Sequence, residues 1–332
     1  MFDVDALVAA IREGQRGALA RGITLVESTS AEHQPLAQQL LTELSNSTPA
    51  STGWRVGISG VPGVGKSTLI EALGVQLCEA GHRVAVLAVD PSSTLRGGSI
   101  LGDKTRMQRL SKHPNAYIRP SPTGGNLGGV HRTTRESIRL VEAAGYDVVL
   151  VETVGVGQSE VTVADMVDTF VVLMLAGAGD ELQGIKKGIL EVADIIAVNK
   201  ADDDNETSSK SARNNYAAAL RLVRPANQHW RPRVTTCSAL HGQGLEGLWA
   251  LISEHRDTLL SAGQLHAIRS AQDQRWMWSL VEAVLIARLR DDEALMSTAH
   301  KLEDEIKQGT MAPTLAAWRL LDAYDERSGP DR

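Results

Sequence analysis

The sequence predicts an α/β fold in which helices flank a mainly parallel β-sheet, with further helices before and after it. Four apolar runs are separated by segments of helical periodicity, and they cover residues 84–89, 148–151, 170–175 and 195–198. Runs that are apolar on both faces are typical of buried parallel strands. Three of the runs are followed directly by a polar residue, which is expected at the carboxyl edge of a parallel sheet, where ligands bind.

The chain divides into three predicted parts. Residues 1–50 carry apolar side chains at three- and four-residue intervals, which is typical of two or three amphipathic helices. A polar stretch with Pro and Gly at residues 45–53 predicts a connector, so we expect the α/β domain over residues 51–260. Residues 261–332 have a wholly helical pattern, and their tryptophans suit either a core or an interface between subunits.

Composition excludes several classes of protein. The 332 residues are 42% hydrophobic and 22% charged, as in ordinary globular proteins, and the net charge of −6 argues against nucleic acid as a partner. Cys78 and Cys237 form no C-x-x-C pair, so neither a disulfide framework nor a thiolate metal site is predicted. The N-terminus is acidic and the longest apolar run is too short to cross a membrane. We therefore expect a cytoplasmic protein without membrane contact, or one imported with its presequence already removed.

A phosphate-binding loop is predicted at residues 60–67, because GVPGVGKS fits the pattern G-x-x-x-x-G-K-[ST]. It lies between a short predicted strand at residues 55–59 and a helix. The glycines let backbone N–H groups face a polyphosphate, Lys66 can reach the outer phosphates, and Ser67 can ligate Mg²⁺. The alternative is a glycine-rich turn that binds nothing. The residues expected to contact the phosphates are Gly60, Gly63, Val64, Gly65, Lys66, Ser67 and Thr68.

A guanine-reading turn is predicted at residues 199–202, with the sequence NKAD. The Asp202 carboxylate can accept from N1–H and the 2-amino group of guanine, whereas adenine would leave it desolvated and unpaired. Alone, the tetrapeptide could be a solvated turn; after a phosphate loop it favours GTP over ATP. A backbone N–H of the loop that follows a short strand at residues 234–237 is expected to meet the guanine oxygen. The predicted base-site residues are Asn199, Lys200, Asp202, Ser238, Ala239 and Leu240.

Three carboxylates are candidates for holding Mg²⁺ with Ser67, directly or through water: Asp90, Asp103 and Glu152. Asp103 has an alternative role as a helix cap. Glu152 replaces the Asp of the commoner D-x-x-G, and Val156 stands where many signalling GTPases place a water-orienting Gln. We therefore expect slow intrinsic hydrolysis. Gln158 can substitute only if its loop is remodelled.

Four stretches resemble the MeaB family, whose members are GTPase chaperones of methylmalonyl-CoA mutase. Related proteins were also called ArgK. The four stretches are residues 60–67, 90–107, 152–160 and 199–202. The resemblance covers most of the chain and implies a homodimer joined through a C-terminal helical arm. It also implies an adenosylcobalamin-dependent acyl-CoA mutase as partner. The GTPase would gate cofactor loading into that mutase and protect it, and the change from bound GTP to GDP would time these steps.

The resemblance further implies three switch segments. Residues 90–107 would be the first, residues 152–160 the second, and residues 177–187 the third, in which Lys186 couples nucleotide state to partner contact. The catalytic candidates are then Lys66, Glu152, Gln158 and Lys186.

Two alternative functions remain open at this point. A nickel-insertion GTPase would need a Cys/His cluster, and here Cys78 has only His82 nearby in sequence. An ATP-dependent kinase of periplasmic transport proteins is the other alternative, which the guanine-reading turn disfavours. Comparing GTP with ATP affinity would separate them.

Overall fold

The computed structural model describes residues 3–28, 30, 32–47, 53–89, 107–121, 127–153, 159–177, 187–221 and 227–327. Their strands are β1 (Trp54–Gly60), β2 (Val84–Val89), β3 (Ala116–Ser121), β4 (Val148–Thr153), β5 (Thr169–Leu175), β6 (Ile195–Asn199) and β7 (Arg233–Thr236). All seven pair in parallel in one sheet, in the order β3-β2-β4-β1-β5-β6-β7. The predicted α/β fold with a mainly parallel sheet is confirmed.

Helices precede, connect and follow these strands. In the described ranges the α-helices are α1 (Val4–Arg12), α2 (Arg16–Glu27), α3 (His33–Ser47), α4 (Lys66–Glu79), α5 (Leu127–Ala143), α6 (Ser159–Ala164), α7 (Lys187–Val192), α8 (Glu206–Leu220), α9 (Leu245–Ser261), α10 (Gln264–Asp291), α11 (Glu293–Lys307) and α12 (Pro313–Arg327). None of them is long and apolar enough to cross a membrane.

The sheet is covered on both faces because successive strand residues point to opposite sides. Ala85 and Leu87 of β2 belong to a core that includes residues of α1, α2, α3 and α5. Val84 and Val86 belong to a second core that includes residues of α4 and α9. The continuous apolar runs of the sequence therefore supply both cores, and the N-terminal helices pack onto the first.

One strand was not predicted, and the bounds of the others differ from the predicted ones by at most two residues. β3 was not predicted, because Arg119 and Pro120 interrupt its apolar pattern; it is an edge strand, where Pro is tolerated. β4 continues past the predicted end at residue 151, since Glu152 still pairs with Ile58 of β1 and Thr153 with Val89 of β2. These polar residues are strand residues that face the carboxyl edge.

Two buried ion pairs lie at the amino edge of the sheet. Arg55 donates from Nε and Nη2 to the two carboxylate oxygens of Glu142, at 2.6 and 2.8 Å. Arg269 of α10 donates to both oxygens of Asp168, at 2.8 and 2.6 Å, and to the carbonyl oxygen of Gly53 at 2.6 Å. The Asp168 side chain is 0% exposed. Such pairs compensate charges that would be costly to bury alone.

A polar chain lies next to these pairs. The Trp54 indole donates from Nε1 to Oγ1 of Thr169 at 2.9 Å, and that oxygen lies 2.8 Å from Nδ1 of His255. Because the indole N–H can only donate, the Thr169 oxygen is the acceptor in the bond from Trp54. Nε2 of His255 lies 3.7 Å from Oδ1 of Asp194. Desolvation lowers the pKa of His255 to about 4 and raises the pKa of Asp194 to about 7.

The chain forms two compact units, Met1–Ser270 and Ala271–Arg332. In the second unit, Leu295 and Leu302 of α11 are buried. Arg327 of α12 also donates from Nε to Oδ2 of Asp292 at 2.9 Å. The borders predicted near residues 50 and 260 stay predictions.

Candidate nucleotide site

The phosphate loop joins the end of β1 to the start of α4. Gly60, Gly63 and Gly65 have φ angles of 144°, 78° and 98°. A Cβ atom at Gly60 would lie 2.5 Å from the carbonyl oxygen of Leu173, and one at Gly65 would lie 2.6 Å from Nδ2 of Asn199. These two positions therefore exclude a side chain, and the loop curls close to its neighbours. This is the strand, loop and helix arrangement that the motif requires.

Lys66 is the first residue of α4, and its ammonium lies against the phosphate loop. Nζ donates to the carbonyl oxygens of Gly60 at 2.6 Å and Val61 at 3.3 Å, and the residue is only 8% exposed. A buried ammonium needs such partners. The positive charge is thus held at the loop beside the N-terminus of α4, where anions are favoured. Thr68 follows in the first helical turn and is exposed.

Ser67 and Glu152 meet where β4 ends. Oγ of Ser67 donates to Oε1 of Glu152 at 2.8 Å, and Glu152 is 4% exposed. Hydroxyl and carboxylate oxygens are the hard ligands that Mg²⁺ takes, so this donor set fits the ion. The other predicted metal and catalytic residues lie outside the described residues: Asp90, Asp103, Gln158 and Lys186.

Asn199, the last residue of β6, connects the two halves of the site. Its Nδ2 donates to the carbonyl oxygen of Val64 at 2.8 Å, and its Oδ1 accepts from the backbone N–H of Ala239 at 3.0 Å and from Sγ of Cys237 at 3.7 Å. The residue is 1% exposed. Both ends of the amide are engaged within the protein, so Asn199 ties the phosphate loop to the loop after β7.

Asp202 is held in a turn with unusual backbone angles. Lys200 and Asp203 have φ values of 59° and 45°, a region that residues other than glycine rarely adopt. Nδ2 of Asn205 donates to the carbonyl oxygen of Lys200 at 2.7 Å, which supports the turn. The Ser238 hydroxyl donates to Oδ2 of Asp202. The carboxylate is therefore oriented by a neighbouring loop.

The loop after β7 is closed by its own hydrogen bonds. The backbone N–H of Ser238 donates to the carbonyl oxygen of Gln243 at 2.8 Å, and the N–H of His241 donates to Oγ of Ser238 at 3.3 Å. Ala239 is buried, whereas Leu240 is 76% exposed. The structure thus brings the predicted residues of this loop next to the Asp202 turn.

The cysteine and histidine of the nickel alternative have ordinary structural surroundings. Cys78 is buried, and desolvation raises the pKa of its thiol. Nδ1 of His82 lies 2.6 Å from Oδ2 of Asp147. Neither side chain belongs to the group of possible metal ligands that the described residues contain.

Sequence reasoning missed a hydroxyl pair in the site. Oγ1 of Thr153 donates to Oγ of Ser59 at 2.9 Å. The only available signal was position, because Ser59 directly precedes the phosphate loop and Thr153 directly follows Glu152. Serine and threonine at strand ends are too common for that signal to predict a contact.

Comparisons with known proteins agree with this geometry. The family model described as methylmalonyl-CoA mutase-associated GTPase MeaB matches residues 19–294. A probable GTPase of Mycobacterium bovis is 56% identical over 319 residues, which cover 96% of this chain and 94% of that protein. The mouse protein named methylmalonic aciduria type A homolog, mitochondrial, is 47% identical over 333 residues, covering 98% of this chain and 80% of that protein.

A solved structure is also similar over nearly the whole chain. The crystal structure described as LAO/AO transport system kinase has a TM-score of 0.79 and 37% identity, and the match covers 98% of this chain and 99% of that chain. The sequence matches and the phosphate loop therefore agree on one assignment: the chain belongs to the MeaB family and is an enzyme that hydrolyses GTP.

Proposed function

We propose that this GTPase is a chaperone that gates cofactor loading into an adenosylcobalamin-dependent acyl-CoA mutase and protects that mutase. The partner to test first is methylmalonyl-CoA mutase, which the description of the family names. The observation that carries the proposal is the tie made by Asn199, which joins the phosphate loop to the loop after β7 in a chain of this family. We further propose that the protein works in the cytoplasm.

The chain's own residues fit GTP, GDP and Mg²⁺. Lys66 holds a positive charge at the phosphate loop, and Asp202 offers a carboxylate for the guanine edge. Ser67 and Glu152 would hold Mg²⁺, which when bound offsets phosphate charge. Glu152 is also proposed to act in hydrolysis, together with Gln158 and Lys186.

Slow hydrolysis without a partner follows from the sequence of the second switch, where Val156 replaces the water-orienting Gln. A mutase that contacts the switch segments more tightly in their transition-state arrangement would lower the barrier. Thermodynamic linkage then requires the nucleotide to change the affinity for the mutase. Hydrolysis can in this way time the release of a loaded mutase.

A homodimer is part of the proposal, and the second compact unit supports it. Large apolar side chains are exposed on α10 and α12, where a second copy can cover them: Met277, Trp278, Val281, Val284, Leu285, Ile286, Leu315, Trp318 and Leu321. Trp278 is 62% and Trp318 is 63% exposed. On α10, Trp278, Val281 and Leu285 recur at three- and four-residue intervals and so share one face of the helix, as expected of an interaction site.

The dimer is tested by light scattering. Trp278→Glu is expected to give monomers, because it places a charge in the apolar interface. Leu260→Glu is the matched control on α9, since Leu260 is 47% exposed outside that unit. A monomeric wild-type protein would remove the dimer from the proposal.

The chaperone function is tested by mixing the purified protein with methylmalonyl-CoA, isobutyryl-CoA and ethylmalonyl-CoA mutases in turn. GTP turnover and co-elution are followed with GDP and with a non-hydrolysable GTP analogue. We expect one mutase to raise turnover and to co-elute in one nucleotide state more than in the other. Lys66→Ala, which removes the phosphate-loop charge, should lose the stimulation. A protein that no mutase binds or stimulates would contradict the proposal.

The alternative of a transport-protein kinase is suggested by the description of the similar crystal structure. The Asp202 turn opposes it, because a carboxylate there has no donor pair to accept from in adenine. Phosphate transfer from ATP to a periplasmic binding protein would favour the kinase, whereas selective binding of GTP would exclude it.

A further inference from the structure

A buried hydroxyl pair joins the start of the phosphate loop to the end of β4. Thr153 and Ser59, whose hydroxyl oxygens lie 2.9 Å apart, are both 0% exposed. A hydroxyl buried this deeply is stabilised only where it finds a hydrogen-bond partner. The pair therefore holds two chain positions together, and each position directly adjoins a residue of the nucleotide site.

The hydroxyl pair extends the contact between β1 and β4 beyond their backbone pairing. The last backbone pair of these strands joins Ile58 to Glu152, and Ser59 and Thr153 each lie one residue further along. Beyond that point Ser59 pairs with Val172 of β5 and Thr153 pairs with Val89 of β2, so the hydroxyl pair is a side-chain contact between these two positions of β1 and β4. The bond thus continues the register of the strands to the edge where the ligand binds.

Glu152 and Thr153 point to opposite faces of the sheet, because successive strand residues alternate. Leu150, two residues before Glu152, belongs to the core with α4, and Glu152 meets Ser67 on that face. Val151, two residues before Thr153, belongs to the other core. The end of β4 is consequently fastened from both sides, by Ser67 on one and by Ser59 on the other.

We propose that Ser59 and Thr153 are positioning residues for GTP hydrolysis. Their hydroxyl pair fixes the end of β4 against the phosphate loop, and this sets how closely the Glu152 carboxylate approaches the Ser67 hydroxyl. The inference rests on the proposed Mg²⁺ site at Ser67 and Glu152.

The test measures how nucleotide affinity depends on Mg²⁺. A fluorescent GDP is titrated at a series of Mg²⁺ concentrations and in EDTA. Thr153→Val keeps the shape of the side chain but removes the hydroxyl, and we expect it to raise the half-saturating Mg²⁺ concentration about fivefold. Affinity in EDTA should be unchanged. Thr153→Ser, which keeps the hydroxyl, should restore the wild-type Mg²⁺ dependence.

A double-mutant cycle separates a shared bond from two independent effects. Ser59→Ala is expected to raise the Mg²⁺ requirement as Thr153→Val does. The double variant should be little worse than either single one, since both remove the same hydrogen bond. Turnover at saturating Mg²⁺ is measured in parallel, and kcat should fall while the KM for GTP stays the same.

The outcomes are distinguishable. A lowered melting temperature with a wild-type Mg²⁺ dependence would make the pair purely structural and overturn the inference. If Thr153→Val does not fold, Ser59→Ala, which removes a single oxygen, takes its place with the same expectation. A wild-type protein whose GDP affinity ignores Mg²⁺ would remove the proposed metal site, and this inference with it.

Discussion

The Asn199 side chain reaches across 135 residues of sequence to the phosphate loop, where its Nδ2 donates to the carbonyl oxygen of Val64 at 2.8 Å. The same amide accepts from the backbone of Ala239 at 3.0 Å. One buried side chain therefore fixes the position of the phosphate loop relative to the loop after β7. A nucleotide that needs both loops depends on this contact without having to touch it.

Asn199→Ala is expected to weaken GTP and GDP binding by a similar factor, about tenfold, because hydrogen bonds to both loops are lost at once. Titration with fluorescent forms of both nucleotides measures the effect. Asn214→Ala, on the exposed part of α8, is the control and should bind normally. A folded Asn199→Ala protein with unchanged affinity would show that the loops keep their arrangement unaided.

Asp202→Asn is expected to shift preference from guanosine to xanthosine nucleotides. The amide of the variant can donate to the oxygen that xanthine carries in place of the 2-amino group, whereas the carboxylate accepts from that amino group. Competition between GTP and xanthosine triphosphate measures the shift. Asp203→Asn changes an exposed neighbour and should leave selectivity intact. Full GTP selectivity in the Asp202 variant would exclude this residue as the base reader.

Arg269→Ala is expected to lower the free energy of unfolding by about 3–5 kcal/mol, because the buried Asp168 carboxylate loses both guanidinium bonds. Urea denaturation measures the change. The control is Lys210→Ala, whose pair with Glu206 is 60% and 61% exposed and is expected to contribute far less, because water screens it. Equal effects of the two substitutions would contradict the assignment of Arg269 to a stabilising buried pair.

As the pH changes, His255 and Asp194 are expected to change the free energy of unfolding in opposite directions. Folded His255 stays neutral to about pH 4, whereas its ordinary pKa is 6.5, so its contribution to stability is present above pH 6.5 and lost toward pH 4. Folded Asp194 takes up a proton near pH 7 against an ordinary pKa of 3.8. Its contribution is present below pH 3.8 and lost as the pH rises through 7. Between pH 4 and 6.5 the two effects offset.

Single substitutions should expose each half of this balance. Relative to wild type, Asp194→Asn should lose stability as the pH falls from 6.5 to 4, by up to about 1.4 kcal/mol per pH unit. His255→Gln should gain stability over the same interval. Urea denaturation measures the free energy of unfolding at each pH. If it changed with pH in both variants as it does in wild type, the assignment would be contradicted.

Four of the predicted strands, β2, β4, β5 and β6, were found because their side chains are apolar on both faces, and burial on both sides leaves a continuous apolar run. β3 escaped prediction for the opposite reason: it is an edge strand, and Arg119 and Pro120 interrupt its pattern. The phosphate loop was predictable because its chemistry is local. Its glycines, Lys66 and Ser67 lie close together in sequence, so the motif alone predicts how they are arranged around a phosphate.

Contacts between distant segments were not predictable in the same way. The role of Asn199 as a tie depends on which strands neighbour each other, and the order β1-β5-β6 places it beside the phosphate loop. The buried partners of Arg269 likewise come from the amino edge of the sheet, far away in sequence. A single sequence carries the residue types of such contacts but not their pairing.

The two ends of β1 serve different purposes. Arg55 lies in a buried ion pair at the amino edge, while Ser59 adjoins the phosphate loop at the carboxyl edge, and four residues of strand separate them by roughly 13 Å. Substitutions that far apart, with no shared partners, usually have additive effects. A change that strengthens the amino edge can therefore compensate for one that loosens the carboxyl edge. Stability lost through a substitution at the nucleotide site can thus be regained at the amino edge, so the site can change while the chain stays folded.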